Sequence, residues 1–150
     1  MRMTLILTLV LATSCTISST TQTPKQAVKS ADYSGAWSGK TSQEHPIRLT
    51  VDNVDGRQVV TGVMFNIKVS SQSYSMTETM YAPKKIAAVI RNQQFRVEWK
   101  QTDTSYVVSG SFVNATLVKG SITTTYVHSQ GYGTAIGEAT FTASREAAKK

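Results

Sequence analysis

The sequence predicts an all-β domain, an antiparallel β-sandwich or β-barrel of about 8–9 strands. Three observations carry that expectation. From Tyr33 onward apolar residues recur with a period of two rather than 3.6. Thr, Val and Tyr, which suit a pleated and half-buried surface, dominate the same stretch. Turn signals divide it at short intervals, as they do in sandwiches and barrels.

Ahead of that domain stands a segment with a different purpose. One positive charge at Arg2, an apolar run from Leu5 to Ala12 and small residues before Cys15 have the form of a secretory signal peptide. The run is too short to span a bilayer. Ala12-Thr13-Ser14-Cys15 resembles the processing site of bacterial lipoproteins, in which a diacylglycerol is attached to the cysteine and cleavage leaves that cysteine as the lipidated first residue. The resemblance implies a signal over residues 1–14, a membrane anchor through lipid on Cys15 and a place in the cell envelope. With Thr16 rather than Asp next, it implies the outer membrane if the cell is Gram-negative. One position departs from the pattern, because Ala12 stands where leucine is usual. Ala12-x-Ser14 also reads as an ordinary signal-peptidase site, which would leave Cys15 a free N-terminal thiol on a secreted or periplasmic protein. Cys15 is the one cysteine of the chain, so neither an intrachain disulfide nor a cysteine metal cluster can form.

Residues 15–32 read as a tether. Thr16 to Thr23 are polar and without period, and a flexible segment of this length spans about 20–25 Å. Pro24 to Lys29 could form one helical turn, but isolated helices that short are marginal in water.

The all-β domain is expected over residues 33–145, followed by a basic tail at 146–150. Ile47, Leu49 and Val51 alternate with Arg48, Thr50 and Asp52 as a strand with one apolar face. Asp55-Gly56 is the strongest hairpin signal. The returning strand, Gln58 to Val69, places Val59, Val63, Phe65, Ile67 and Val69 on one side and Val60, Gly62, Met64 and Lys68 on the other, with a bend expected near Gly62. Ser73 to Tyr81 is a less regular strand because Tyr74 and Met76 share a side with Glu78. Pro83-Lys84-Lys85 interrupts it. Ile86 to Arg91 and Phe95 to Lys100 flank Asn92-Gln93 as a second hairpin, with Phe95, Val97 and Trp99 inward. Tyr106, Val108 and Phe112 continue the meander, followed by Thr116 to Val127 and Gly133 to Ser144. Gly110-Ser111 and Gly120-Ser121 repeat on the strands joined at Asn114-Ala115 and read as sites of close packing. Asn114-Ala115-Thr116 also spells a glycosylation sequon, for which a bacterial hairpin turn is the better account.

Gly35-Ala36-Trp37 opens the first strand, and this Gly-x-Trp is similar to the opening of the calycins, the lipocalin, fatty-acid-binding and avidin barrels. That resemblance implies a calycin-like barrel in which Arg145 packs over Trp37 near the barrel's end. It also implies, as one functional alternative, a carrier of a small apolar ligand, with Met64, Met76 and Met80 as cavity candidates. More of the chain, roughly 33–145, resembles small secreted bacterial β-domains that open with Trp-Ser-Gly and continue through a Pro-Ile-x-Leu-x-Val hairpin.

Chemical motifs are sparse. His45 and His128 are the only histidines, and neither has the spaced neighbours of a metal site. The acidic residues are scattered, no Gly-x-Ser-x-Gly nucleophile motif is present, and pairs such as Glu78 and Glu98 are within reach only on paper. The expectation is therefore no catalytic residue, no metal and no cofactor, and a protein that is not an enzyme. A hydrolase or hydrolase inhibitor stays as a second alternative. Ligand-binding candidates are Tyr126, His128 and Tyr132, which lie with several glycines in one connection, because loops on β scaffolds carry function.

The whole chain has a formal charge of +7. Loss of residues 1–14 removes Arg2, leaving fifteen basic against nine acidic residues. Behind a signal peptide such a charge favours envelope polyanions over nucleic acid. Lys68, Lys84, Lys85, Arg91, Arg96 and Lys100 could share one sheet face, as a binding patch or as a solvated face that discourages edge pairing. The leading expectation is a lipid-anchored, non-catalytic envelope binding or structural module, with an envelope polymer, a protein or a small apolar ligand as partner.

Overall fold

The computed structural model describes residues 31–72, 75–84, 86–127 and 133–147. Nine antiparallel strands form one sheet among them: β1 (Gly35–Thr41), β2 (Pro46–Val54), β3 (Arg57–Ser70), β4 (Ser75–Tyr81), β5 (Ala88–Val89), β6 (Gln94–Gln101), β7 (Thr104–Asn114), β8 (Leu117–Val127) and β9 (Thr134–Arg145). The strand order is β4-β3-β2-β1-β9-β8-β7-β6, with β5 pairing β3. The fold is all-β, and its single sheet curls strongly enough for β3 to reach β9 directly, Ser70 opposite Ile136.

Alternation explains the core. The inward positions Ile47, Leu49, Val51, Phe65, Ile67, Val97, Val108 and Ile122 are almost completely buried, as period-two strands with one apolar face require. Burial of a side chain of this size contributes about 1.5–3 kcal/mol.

At the hairpins Asp55 (φ 50°) and Gly56 (φ 73°) are both left-handed, and Val54 faces Arg57 across them, the type I′ geometry that Asp-Gly favours. Asn92 and Gln93 repeat it between Arg91 and Gln94.

Two expectations need correction. Val60 does not face outward: a bulge pairs Thr50 with Gly62 and Val51 with Val60, leaving Thr61 extra, so Val59 and Val60 are both buried. A bulge re-aims side chains in this way. The strand expected from Ile86 shrinks to Ala88–Val89. After Ala82 bonds Val63, the chain turns at Pro83, whose carbonyl accepts from Ile86, and it regains β3 only at Ala88 opposite Val60.

The strands alternate direction, so the molecule has two ends. At one lie residues 31–34, the turns at 55–56, 92–93 and 114–115, and the close of β9. At the other lie the 42–45 turn, Thr102-Asp103, the close of β3 and β8, and the starts of β4 and β9.

Candidate functional site

At the end where β1 begins, Tyr33, Trp37 and Phe112 interlock. Tyr33 stacks on Phe112 at 4.3 Å, and Trp37 meets the same ring edge-on at 5.0 Å. Trp37 is fully buried, and its indole N–H donates to the Tyr33 carbonyl at 2.9 Å. Arg145 pairs with Trp37 across β1 and β9. Its guanidinium donates to the backbone carbonyls of Asp32 and Ser34 and lies 3.4 Å from the Asp32 carboxylate. Gly35 (φ 124°) passes close to that guanidinium. Hydrogen bonding from Ser34, backbone first and then hydroxyl, holds the Asp32 carboxyl below its ordinary range, with Arg145 adding to the effect. Gly35, Trp37 and Arg145 thus form a fastening at the base of the residues that lead into the domain.

The outer face of β6, β7 and β8 carries a groove of about 730 Å³, lined among others by Arg91, Arg96, Lys119, Ser109, Ser111 and Ser121. Register builds it: Arg96 faces Ser109, which faces Ser121, and Gln94 faces Ser111, which faces Lys119. Short serines thus form the trough and the three cations its walls. The sheet under the groove is closely packed at Gly110 and Gly120, which are paired. A Cβ on Gly110 would run into the Phe95 ring, and one on Gly120 would meet the Phe141 ring at 2.6 Å. The glycines therefore serve packing while the serines after them face out. Arg96 bonds Glu98 beside the groove, but the lining itself has no carboxylate. A further hollow of about 810 Å³, near the start of β1, combines Arg57 with Asp32 and lacks that one-sided charge.

The basic residues weighed from sequence do not share one face. Arg91 and Arg96 join Lys119 in the groove, whereas Lys84 lines a smaller hollow with Arg48 and Met64. The methionines also separate: Met80 packs against the core, Met64 lines that outer hollow and Met76 is exposed. Glu98 points outward to Arg96, while Glu78 is half-buried, so these carboxylates do not form a pair. Tyr126 sits on β8 opposite Thr104 and Ala135. Cys15, His128 and Tyr132 lie outside the described residues.

A different polar set occupies the interior at the end remote from Trp37. Tyr106 stacks on Trp99 at 4.9 Å, with Phe65 about 6 Å from both. Register places Trp99, Tyr106, Thr124 and Gly137 in one row across β6 to β9. Gly137 abuts Ile67 and Val69 of β3, and Ile67 faces Glu78 of β4. Burial pushes the Glu78 carboxyl above its ordinary range. Burial first, and then the charge of Glu78, raises the Tyr106 hydroxyl, against a lowering hydrogen bond from Thr104. The sequence signal for this row was faint: a glutamate where the β4 alternation should be apolar.

Among the described residues no group of three metal-ligating side chains occurs, and no helix is long and apolar enough to cross a membrane. Neither family models, curated proteins nor solved structures gave a match to this chain.

Proposed function

We propose that this chain is a lipid-anchored, non-catalytic binding module of the bacterial cell envelope, holding phosphate-bearing envelope lipid in the groove on β6 to β8. The carrying observation is the groove's one-sided chemistry: Arg91, Arg96 and Lys119 around three serines, with no carboxylate in the lining. Guanidinium and ammonium groups provide charge, and hydroxyls provide further donors, for phosphate oxygens. The signal-like segment and the tether-like composition of residues 15–32 support an anchored domain. The alternative of an apolar-ligand carrier has less support, because Trp37, Phe65, Phe112 and Ile122 fill the interior.

Two experiments test the two halves of this reading. Cys15→Ser should release the protein from membranes, and unchanged membrane association would remove the anchor. The released protein should bind phosphatidylglycerol vesicles but not phosphatidylcholine vesicles, and binding should weaken as salt screens the charges. Arg96→Ala with Lys119→Ala should lower that affinity about tenfold, or about 1.4 kcal/mol. Equal binding to both vesicle types would exclude the groove.

A further inference from the structure

The groove on β6 to β8 does not end at β8. Ser121, in its lining, also lines a second hollow of about 430 Å³ on the same outer face, together with Thr123, Glu138, Thr140 and Ser42. Register makes the two continuous. Arg96 faces Ser109, Ser109 faces Ser121 and Ser121 faces Thr140. Beyond β9 the Ser42 N–H donates to the Thr140 carbonyl, and the Thr140 N–H donates to the Ser42 hydroxyl. Residues directly opposite one another share a face of the sheet, so one row of hydroxyls leads away from Arg96 as far as Ser42. Four strand spacings of about 4.8 Å make the row about 19 Å long, far longer than a phosphate group.

The two ends of the row differ in charge. Arg91, Arg96 and Lys119 stand at one. Arg96 gives its Nε–H to Glu98, which leaves the terminal guanidinium nitrogens to donate elsewhere. At the other end Glu138 lines the second hollow, exposed, and no ion pair holds its carboxylate among the described residues. Between them Ser121 and Thr140 are exposed, and among the described residues neither hydroxyl has a partner.

We infer that the headgroup held here is a phosphorylated saccharide, with its phosphate among Arg91, Arg96 and Lys119 and its sugar hydroxyls laid along Ser121, Thr140 and Ser42 toward Glu138. This rests on the groove reading above and narrows it. A plain glycerol phosphate would occupy the cationic end and leave the second hollow unused. A second phosphate placed there would meet the Glu138 carboxylate. An acyl chain would strip water from Ser121 and Thr140 and return no hydrogen bond. Sugar hydroxyls both donate and accept, so they match serine and threonine hydroxyls and can donate to the carboxylate. The phosphate takes the charge-assisted bonds from the guanidinium and ammonium groups, and Glu138 fixes which way round the ligand lies.

The test is calorimetric titration of the full mature protein with methyl phosphate, glucose 1-phosphate and maltose 1-phosphate, monoesters of like charge, at one ionic strength, with maltose as the uncharged control. Affinity should rise in that order, at least tenfold from methyl phosphate to maltose 1-phosphate, and maltose alone should bind more weakly than its phosphate. Thr140→Val and Glu138→Gln, both at exposed positions, should each weaken maltose 1-phosphate about threefold or more and leave methyl phosphate unchanged. Lys119→Ala should weaken all three esters. Equal affinity for the three esters would overturn the inference, as would maltose binding as tightly as its phosphate, or a loss in the Thr140 and Glu138 variants that is the same for every ester. Retained binding to phosphatidylglycerol vesicles alongside any of those results leaves the groove reading standing. Loss of vesicle binding together with every ester removes both, so the two failures are distinguishable.

Discussion

Trp37 and Trp99 lie toward opposite ends of the same interior and are held in contrasting ways. Trp37 donates its indole N–H to Tyr33, packs edge-on against Phe112 and lies beside an arginine that closes on two backbone carbonyls. Trp99 stacks face to face on Tyr106, but its N–H is unpaired among the described residues, as are Thr124 Oγ1 and Glu78 Oε2. Both rings come from regular alternating strands, so the difference does not lie in their burial. It lies in whether the polar edge of each aromatic is satisfied. One end is built for stability, and the other holds polar groups that packing alone does not explain.

The largest test of that contrast is truncation of the satisfied end. Trp37→Ala should cost about 3–5 kcal/mol in urea unfolding. Trp99→Phe, which trades the lost buried ring volume against removal of an unpaired donor, should cost less than Trp37→Phe, which loses the same volume and a made hydrogen bond. Equal losses for Trp37→Phe and Trp99→Phe would erase the distinction. Between the two ends, Gly120→Ala should cost about 1–3 kcal/mol by overpacking, because its Cβ would press on Phe141 and the Ser109 carbonyl. Thr124→Val should be neutral or stabilise by up to about 1 kcal/mol, since it replaces an unpaired hydroxyl by a methyl of similar shape.

The smallest effects are those of pH, and they have opposite signs at the two ends. The folded pKa of Asp32 lies below its ordinary 3.8, so its contribution is present above that value and lost as pH falls through the folded pKa. The folded pKa of Glu78 lies above its ordinary 4.5, so its contribution is present below 4.5 and lost as pH rises through the folded pKa. Asp32→Asn should therefore reduce stability at pH 7 and not in strong acid. Glu78→Gln should raise it at pH 7 and leave it unchanged in acid. Thermal melts across pH would show the two variants diverging in opposite directions, and parallel shifts would contradict the assignment.

The fold was legible in the sequence where alternation is strict. Phe95, Val97 and Trp99 face inward as their spacing requires, and Asp55-Gly56 makes the expected turn. The bulge at Thr61 was not legible, because nothing in Val59-Val60-Thr61-Gly62 distinguishes an inserted residue from a bend. The repeated Gly-Ser pairs pointed to packing at Gly110 and Gly120. That the serines after them line a groove with Arg96 and Lys119 depends on pairing between strands, which the linear pattern does not contain. The Glu78 level was hidden for the same reason: its members come from β4, β6 and β8, and only the register aligns them.

The contact between Arg145 and residues 32–34 has a mechanical consequence. Asp32 and Ser34 precede β1, while Arg145 ends β9, and β1 lies between β2 and β9 in the sheet. A pull transmitted through the residues before Ala31 therefore does not peel an edge strand. It loads the first and last strands together and meets the main-chain bonds of β1 in shear. In the anchored arrangement proposed above, the clasp spreads such a tension over two interior ladders, so the domain resists unravelling from β1.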